Sequence, residues 1–192
     1  MRKMYDWMMR MAESPRAPWA LGVVSFLESS IFPIPPDVML LPMCLANRSK
    51  AFWYATVATV ASVLGGIAGY LIGYYLFEII GQPILKLYGY TNKFDTVTQW
   101  FRDWGVWILI AKGWTPFPYK VLTIMSGVAK MDPVQFIIAS IVARSMRFYL
   151  VAGLLYFFGE PIRDFIEKRL TLLTTLFLIA LIGGFVAVKF LF

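Results

Sequence analysis

Ile31-Phe32-Pro33-Ile34-Pro35-Pro36-Asp37-Val38 places three prolines within four residues, in the middle of an apolar run over 17–45. A proline inside a helix removes a backbone donor and clashes with the preceding turn, so this run is not one straight helix. The same break recurs downstream as Trp114-Thr115-Pro116-Phe117-Pro118-Tyr119-Lys120-Val121, inside the apolar run 105–127. Pro33 aligns with Pro116, Pro35 with Pro118 and Val38 with Val121, while Asp37 stands opposite Lys120. Each broken run leads into a long apolar one, 51–77 and 133–159. These end alike, at Gly81-Gln82-Pro83 and Gly159-Glu160-Pro161. Irregular backbone survives at membrane depth only when buried in protein or lining a wet cavity. Both broken runs therefore read as re-entrant hairpins, helix–break–helix, with Pro33, Pro35, Pro36, Pro116 and Pro118 as the breakers.

Composition agrees with a membrane setting. Of 192 residues, 59% are hydrophobic and 15% charged, against roughly 45–50% and 25% in soluble domains. Mean hydropathy is +0.68. The net charge of +7 invites a nucleic-acid reading, but basic loops around apolar segments are the pattern of a membrane protein, and no nucleic-acid partner is expected. The single cysteine, Cys44, cannot form an internal disulfide, and there is no histidine. That removes the Ser-His-Asp and Cys-His hydrolases, the helical zinc-protease motif and any histidine proton relay. No metal, no cofactor and no enzymatic activity are expected.

The fold expected is an all-α integral membrane domain over 1–192, multi-pass and built on an inverted repeat. Repeat one, 17–83, holds hairpin 17–45 and span 51–77. An amphipathic helix, 84–104, follows. Repeat two, 105–161, holds hairpin 105–127 and span 133–159. Segment 160–170 is amphipathic and interfacial, and 170–190 is a C-terminal span. A single true crossing per repeat turns the second unit upside down, a common construction of secondary transporters. Nine Lys and Arg fall on the side of the N-terminus, loop 47–50 and segment 160–169, and five on the other. The positive-inside rule then puts the N-terminus in the cytoplasm. Gly65, Gly69 and Gly73 form a small-residue stripe for close packing, within the subunit or between subunits, which leaves a homo-oligomer open.

Six charged residues lie inside apolar segments: Glu28, Asp37, Lys112, Lys120, Arg144 and Arg147. Each costs roughly 2.5–3.5 kcal/mol at the bilayer centre on insertion scales, so they are expected to pair or to line water. Arg144 and Arg147 share a helix face with Ser140 and Val151. The expectation is a buried polar cluster where the hairpin tips meet, with the two acids facing the bases. The buried excess is positive, and arginine matches phosphate geometry. One carboxylate is expected to exchange a proton, since burial disfavours charge. The plainer alternative is that these charges only neutralise one another and pin the hairpins.

Taken together, Glu28 to Asp37, the Gly65–Gly73 helix, Lys112 to Lys120 and Arg144-Ser-Met-Arg147-Phe resemble the DedA family. It is also called the VTT or SNARE-associated family, and the similarity is nearest to its YqaA-like branch. The resemblance covers roughly 17–160. It implies a bacterial inner-membrane protein with two facing re-entrant hairpins. It also implies movement of polyprenyl phosphate or phosphatidylethanolamine between leaflets, as a flippase or scramblase dependent on proton-motive force. Family pattern assigns essential acids to the first hairpin, matched here by Glu28 and Asp37, and essential arginines around the second. This second hairpin carries Lys112 and Lys120, and the arginines sit instead at Arg144 and Arg147.

The expected function is thus a transporter of phosphate-bearing lipids. Lys120, Arg144 and Arg147 would hold phosphate, and Glu28 or Asp37 would exchange a proton. A proton-driven antiporter of small solutes or ions fits the repeat and the carboxylates equally well. A lateral, lipid-facing mouth favours the lipid, and a closed aqueous vestibule favours the solute.

Overall fold

A computed structural model of the protein describes residues 14–31, 35–81, 91–113, 118–159 and 161. Pro33, Pro116, the expected C-terminal span 170–190, segment 84–90 and all of 160–169 but Pro161 lie outside the described residues. Among the described residues every regular element is helical. Helix α1 is Ala17–Ser30, with Pro18 in its first turn, where a missing N–H costs nothing. Helix α2 is Asp37–Ala46, capped by Pro36. A 3-10 turn, Arg48–Lys50, leads into α3, Ala51–Leu71, which continues in π-helical turns through Ile72–Gly81. Helix α4 is Thr91–Gly113, α5 is Tyr119–Val128 and α6 is Pro133–Gly159.

Among the described residues two helical stretches are long and apolar enough to cross a membrane, Arg48–Phe77 and Pro133–Gly159. They lie antiparallel. Arg48 donates to the carbonyl of Tyr156, Thr56 meets the Tyr149 hydroxyl, Arg144 donates to Ser62, and the Tyr70 hydroxyl donates to the carbonyl of Met131. As the α3 number climbs, its partner's number falls.

The broken segments pack on α3 through glycine. A Cβ on Gly65 would strike the backbone of Phe26, and one on Gly73 the carbonyl of Ile124. Gly127 of α5 is pressed in turn against the Tyr70 carbonyl. The glycine stripe is therefore used inside the chain, where it lets α1 and α5 touch the α3 backbone.

The contacts fix where each hairpin goes. Gly22 sits near Val57 and Ala61, while Ser29 reaches Gly69, so α1 runs from the Arg48 end to mid-bundle. Helix α2 returns to that end, where Met43, Cys44 and Leu45 join Ala51 and Tyr54 in one apolar core. Helix α4 approaches from the opposite end, Gly105 against Met131 and Gly113 against Ala143. Helix α5 goes back there, where Lys130 lies over the Tyr74 ring. Helices α1 and α2 thus pack toward the Arg48 end of the bundle, and α4 and α5 toward the Met131 end.

One boundary differs from the expectation. The sequence reading separates an amphipathic helix 84–104 from a hairpin 105–127, yet α4 runs unbroken from Thr91 to Gly113. Only Gly105 marks that border, and a lone glycine costs a helix about 1 kcal/mol. The Met131 sulfur fills the space its side chain would take, 2.9 Å from where a Cβ would stand. The turn between α5 and α6 is a tight one. Lys130 adopts a positive φ of 54°, and Lys130 and Met131 donate to the carbonyls of Gly127 and Ser126, the Schellman pattern. Asp132 then caps α6 by accepting from the amide of Gln135 at 2.9 Å, ahead of Pro133.

Large apolar side chains cover the outside, among them Trp19, Trp53, Val60, Leu64, Val134, Ile138, Leu154 and Phe157. Such a surface suits hydrocarbon rather than water. Inside, two apolar cores sit at the two ends of the bundle, and a polar layer separates them.

Candidate functional site

The polar layer lies at the middle of both long helices. Ser62 is fourteen residues from Arg48 and fifteen from Phe77, and Arg147 is fourteen from Pro133 and twelve from Gly159. Helix α1 ends there, and α2 and α5 start there behind Pro36 and Pro118, so helix ends deliver side chains to this level. Glu28 comes from the last turn of α1, Asp37 from the first turn of α2 and Tyr119 from the first residue of α5.

Two ion pairs organise it. Arg144 donates from Nη2 to Glu28 Oε2 at 2.7 Å, and the Arg144 side chain is 2% exposed. Its Nε donates to Ser62 Oγ, and Ser62 is joined to Ser29 at 2.6 Å. The Ser29 hydroxyl also reaches Glu28 at 3.1 Å. The guanidinium is sandwiched between Tyr119 and Phe148, 4.5 and 4.7 Å from the ring centroids. Thr123 of α5 donates to the Ser29 carbonyl at 3.1 Å. Both hairpins and both long helices therefore meet around one buried cation.

The second pair is more open. Arg147 donates to Asp37 Oδ2 at 2.5 Å, with side-chain exposures of 26% and 20%. The other Asp37 oxygen, Oδ1, is buried and has no hydrogen-bond donor among the described residues. This pair lines a cavity of about 250 Å³ whose remaining wall is Leu41, Leu150 and Val151. Leu41 and Leu150 belong to the exposed apolar exterior.

Four of the six expected charges thus meet at mid-bundle, each acid with an arginine of α6. The lysines stand apart from these pairs. Lys120 donates to the Ile31 carbonyl at 3.1 Å, tying α5 to the end of α1, and Lys112 is exposed in the last turn of α4. Ser29, Ser62, Tyr119 and Thr123 complete the cluster without having been singled out from sequence. Their one visible signal is hydroxyls within apolar runs, a pattern shared by Thr59, which has no hydrogen-bond partner among the described residues. Among the described residues no cluster of metal-ligating side chains occurs.

Comparison with known proteins adds a second line. The family described as VTT domain matches residues 31–157. An uncharacterized protein of Haemophilus influenzae is 38% identical over 170 residues, 88% of each chain. Inner membrane protein YqaA of Escherichia coli is 24% identical over 137 residues, 70% of this chain and 88% of its own. Undecaprenyl phosphate transporter A of Staphylococcus aureus is 24% identical over 142 residues, 66% of each chain. No solved structure matches.

Proposed function

The chain belongs to the VTT-domain, or DedA, family of membrane proteins, and from that membership we propose that it moves phosphate-bearing lipids between the leaflets of the bacterial inner membrane. The observation that carries this reading is the Asp37–Arg147 pair on the wall of a cavity bordered by outward-facing leucines. A lipid can bring its headgroup to such a place while its tails stay in hydrocarbon. Such a leucine-bordered mouth supports a lipid over a small solute, which would need a closed aqueous vestibule.

In this mechanism the phosphate competes with Asp37 for Arg147. The guanidinium fork suits two phosphate oxygens, and the N-termini of α2 and α5 face the same level with their positive dipole ends. Asp37 takes a proton as the phosphate displaces it, through the oxygen that has no donor among the described residues, and returns the proton when the headgroup leaves. Glu28 and Arg144, sealed between the rings, keep the hairpins in register while this exchange occurs. The two hairpins, opening toward opposite ends, supply one half-path each as re-entrant elements, with the N-terminus in the cytoplasm.

The test is leaflet exchange in proteoliposomes with undecaprenyl phosphate and phosphatidylethanolamine, with and without a pH gradient. Exchange by the wild type that is lost in Arg147→Ala supports the proposal. Exchange by Arg147→Ala at the wild-type rate overturns it.

A further inference from the structure

A second, separate feature lies on the opposite face of α1. Glu28, Ser25, Ser29 and Leu21 turn inward, while Trp19, Gly22 and Phe26 turn outward. With Trp53, Ala61 and Leu64 of α3 these outward residues line a groove of about 740 Å³ that is almost wholly apolar. The slot is open where Gly22 lacks a side chain: a Cβ there would lie 3.6 Å from Val57 and 3.9 Å from Ala61. Trp19, Phe26 and Trp53 form its sides.

Two observations say what fills it. The first is length. From Trp53 to Leu64 the groove follows eleven residues of α3, about 16 Å at the helical rise, close to half of the ~30 Å hydrocarbon core. It therefore runs from the Arg48 end of the bundle to the level of the polar layer, the depth of one leaflet. The second is its mouth. At the Arg48 end the groove joins a polar pocket of about 590 Å³ through Pro18 and Trp53, which line both. That pocket contains Ser14, Asn47 and Lys50, and the Lys50 side chain is exposed. A cation and hydroxyl and amide donors at the surface, followed by one leaflet of apolar slot, match an amphiphile with an anionic head and an alkyl tail.

We propose that this groove and pocket form a binding site for one anionic phospholipid, its phosphate at Lys50, Asn47 and Ser14 and one acyl chain between α1 and α3. The site is distinct from the Asp37–Arg147 cavity and does not depend on transport.

The experiment is native mass spectrometry of the full-length protein in detergent, titrated with phosphatidylglycerol. The variants are Lys50→Ala, Gly22→Phe, which fills the slot, Gly22→Ala, which fits it, and Arg147→Ala. Melting temperature is recorded for each variant. One retained lipid is expected for the wild type, Gly22→Ala and Arg147→Ala. Lys50→Ala weakens the apparent affinity read from the titration about fivefold, the worth of one basic residue near an anionic surface, and Gly22→Phe removes the lipid. Diacylglycerol, which lacks the phosphate, binds no better to the wild type than to Lys50→Ala. Retention unchanged in both Lys50→Ala and Gly22→Phe, loss confined to Arg147→Ala, or displacement of the lipid by millimolar inorganic phosphate alone overturns the proposal. Should Gly22→Phe melt early, Lys50→Ala at the surface decides the matter alone.

Discussion

Arg144 and Glu28, 116 residues apart in sequence, meet at 2.7 Å in the middle of the bundle, with the arginine 2% exposed. The pair fastens α6 to the tip of the first hairpin, and the ring of Tyr119 brings in the second hairpin from the other side. A buried ion pair is weak evidence of stability in itself, because desolvation offsets most of its attraction. Its role here is registry, since Arg144 takes its partners from α1 and α3 and its flanking rings from α5 and α6 at once.

Removing one partner should be far worse than removing both. Glu28→Ala leaves Arg144 buried and unpaired, a loss of about 3–5 kcal/mol. Replacing the pair together, Glu28→Gln with Arg144→Met, should recover much of that loss. Thermal unfolding in one detergent reads the difference. A double variant as unstable as the worse single one would mean the charges are not coupled.

The more exposed pair should behave in the reverse way. Asp37→Asn and Arg147→Ala should each lower stability by about 1–2 kcal/mol, between the surface and buried cases, while abolishing leaflet exchange. Arg147→Lys should fail to restore exchange, because lysine presents a point charge without the guanidinium fork. In Asp37→Asn any residual exchange should no longer respond to a pH gradient. Full exchange in Arg147→Lys would remove the bidentate step from the mechanism.

Much of this was legible in the sequence, for stateable reasons. Proline breaks are local and covalent, so the P-x-P repeats marked where α2 and α5 begin, and the long apolar runs located α3 and α6. The charged set was legible too, since a charge in an apolar run advertises itself. Which base each acid takes was not. The expectation set the two acids against four bases without choosing among them, and both acids turn to the arginines of α6, which lie at the level where α1 ends and α2 begins. Ser62 and Thr123 were invisible for a different reason. A hydroxyl in a helix satisfies itself on its own backbone as readily as across an interface, as Ser25 does with the Leu21 carbonyl at 2.7 Å.

Glycine substitutions should separate packing from propensity. Gly73→Ala drives a Cβ into the Ile124 carbonyl, and overpacking of this kind costs about 1–3 kcal/mol. Gly65→Ala should match it on the other hairpin. Gly153→Ala meets nothing within 4 Å and should instead stabilise α6, by up to about 1 kcal/mol. The readout is again melting temperature. Equal effects at Gly73 and Gly153 would mean that α3 and α5 do not touch as closely as their backbones indicate.

Two hydroxyls less than one turn apart on α3 provide the sharpest contrast. Ser62 bridges Ser29 and the Arg144 Nε, so Ser62→Ala leaves part of a buried cation unsatisfied, at a cost of about 1–3 kcal/mol. Thr59 is also buried, yet its hydroxyl has no hydrogen-bond partner among the described residues, so Thr59→Val keeps the shape and sheds an unsatisfied group. That change should be neutral or stabilising. Because both sites lie on the same helix and in the same apolar setting, differences in hydrophobicity cannot produce opposite signs. If Ser62→Ala proves as mild as Thr59→Val, the serine bridge is not what holds Arg144 at mid-bundle, and the registry must come from the two aromatic rings.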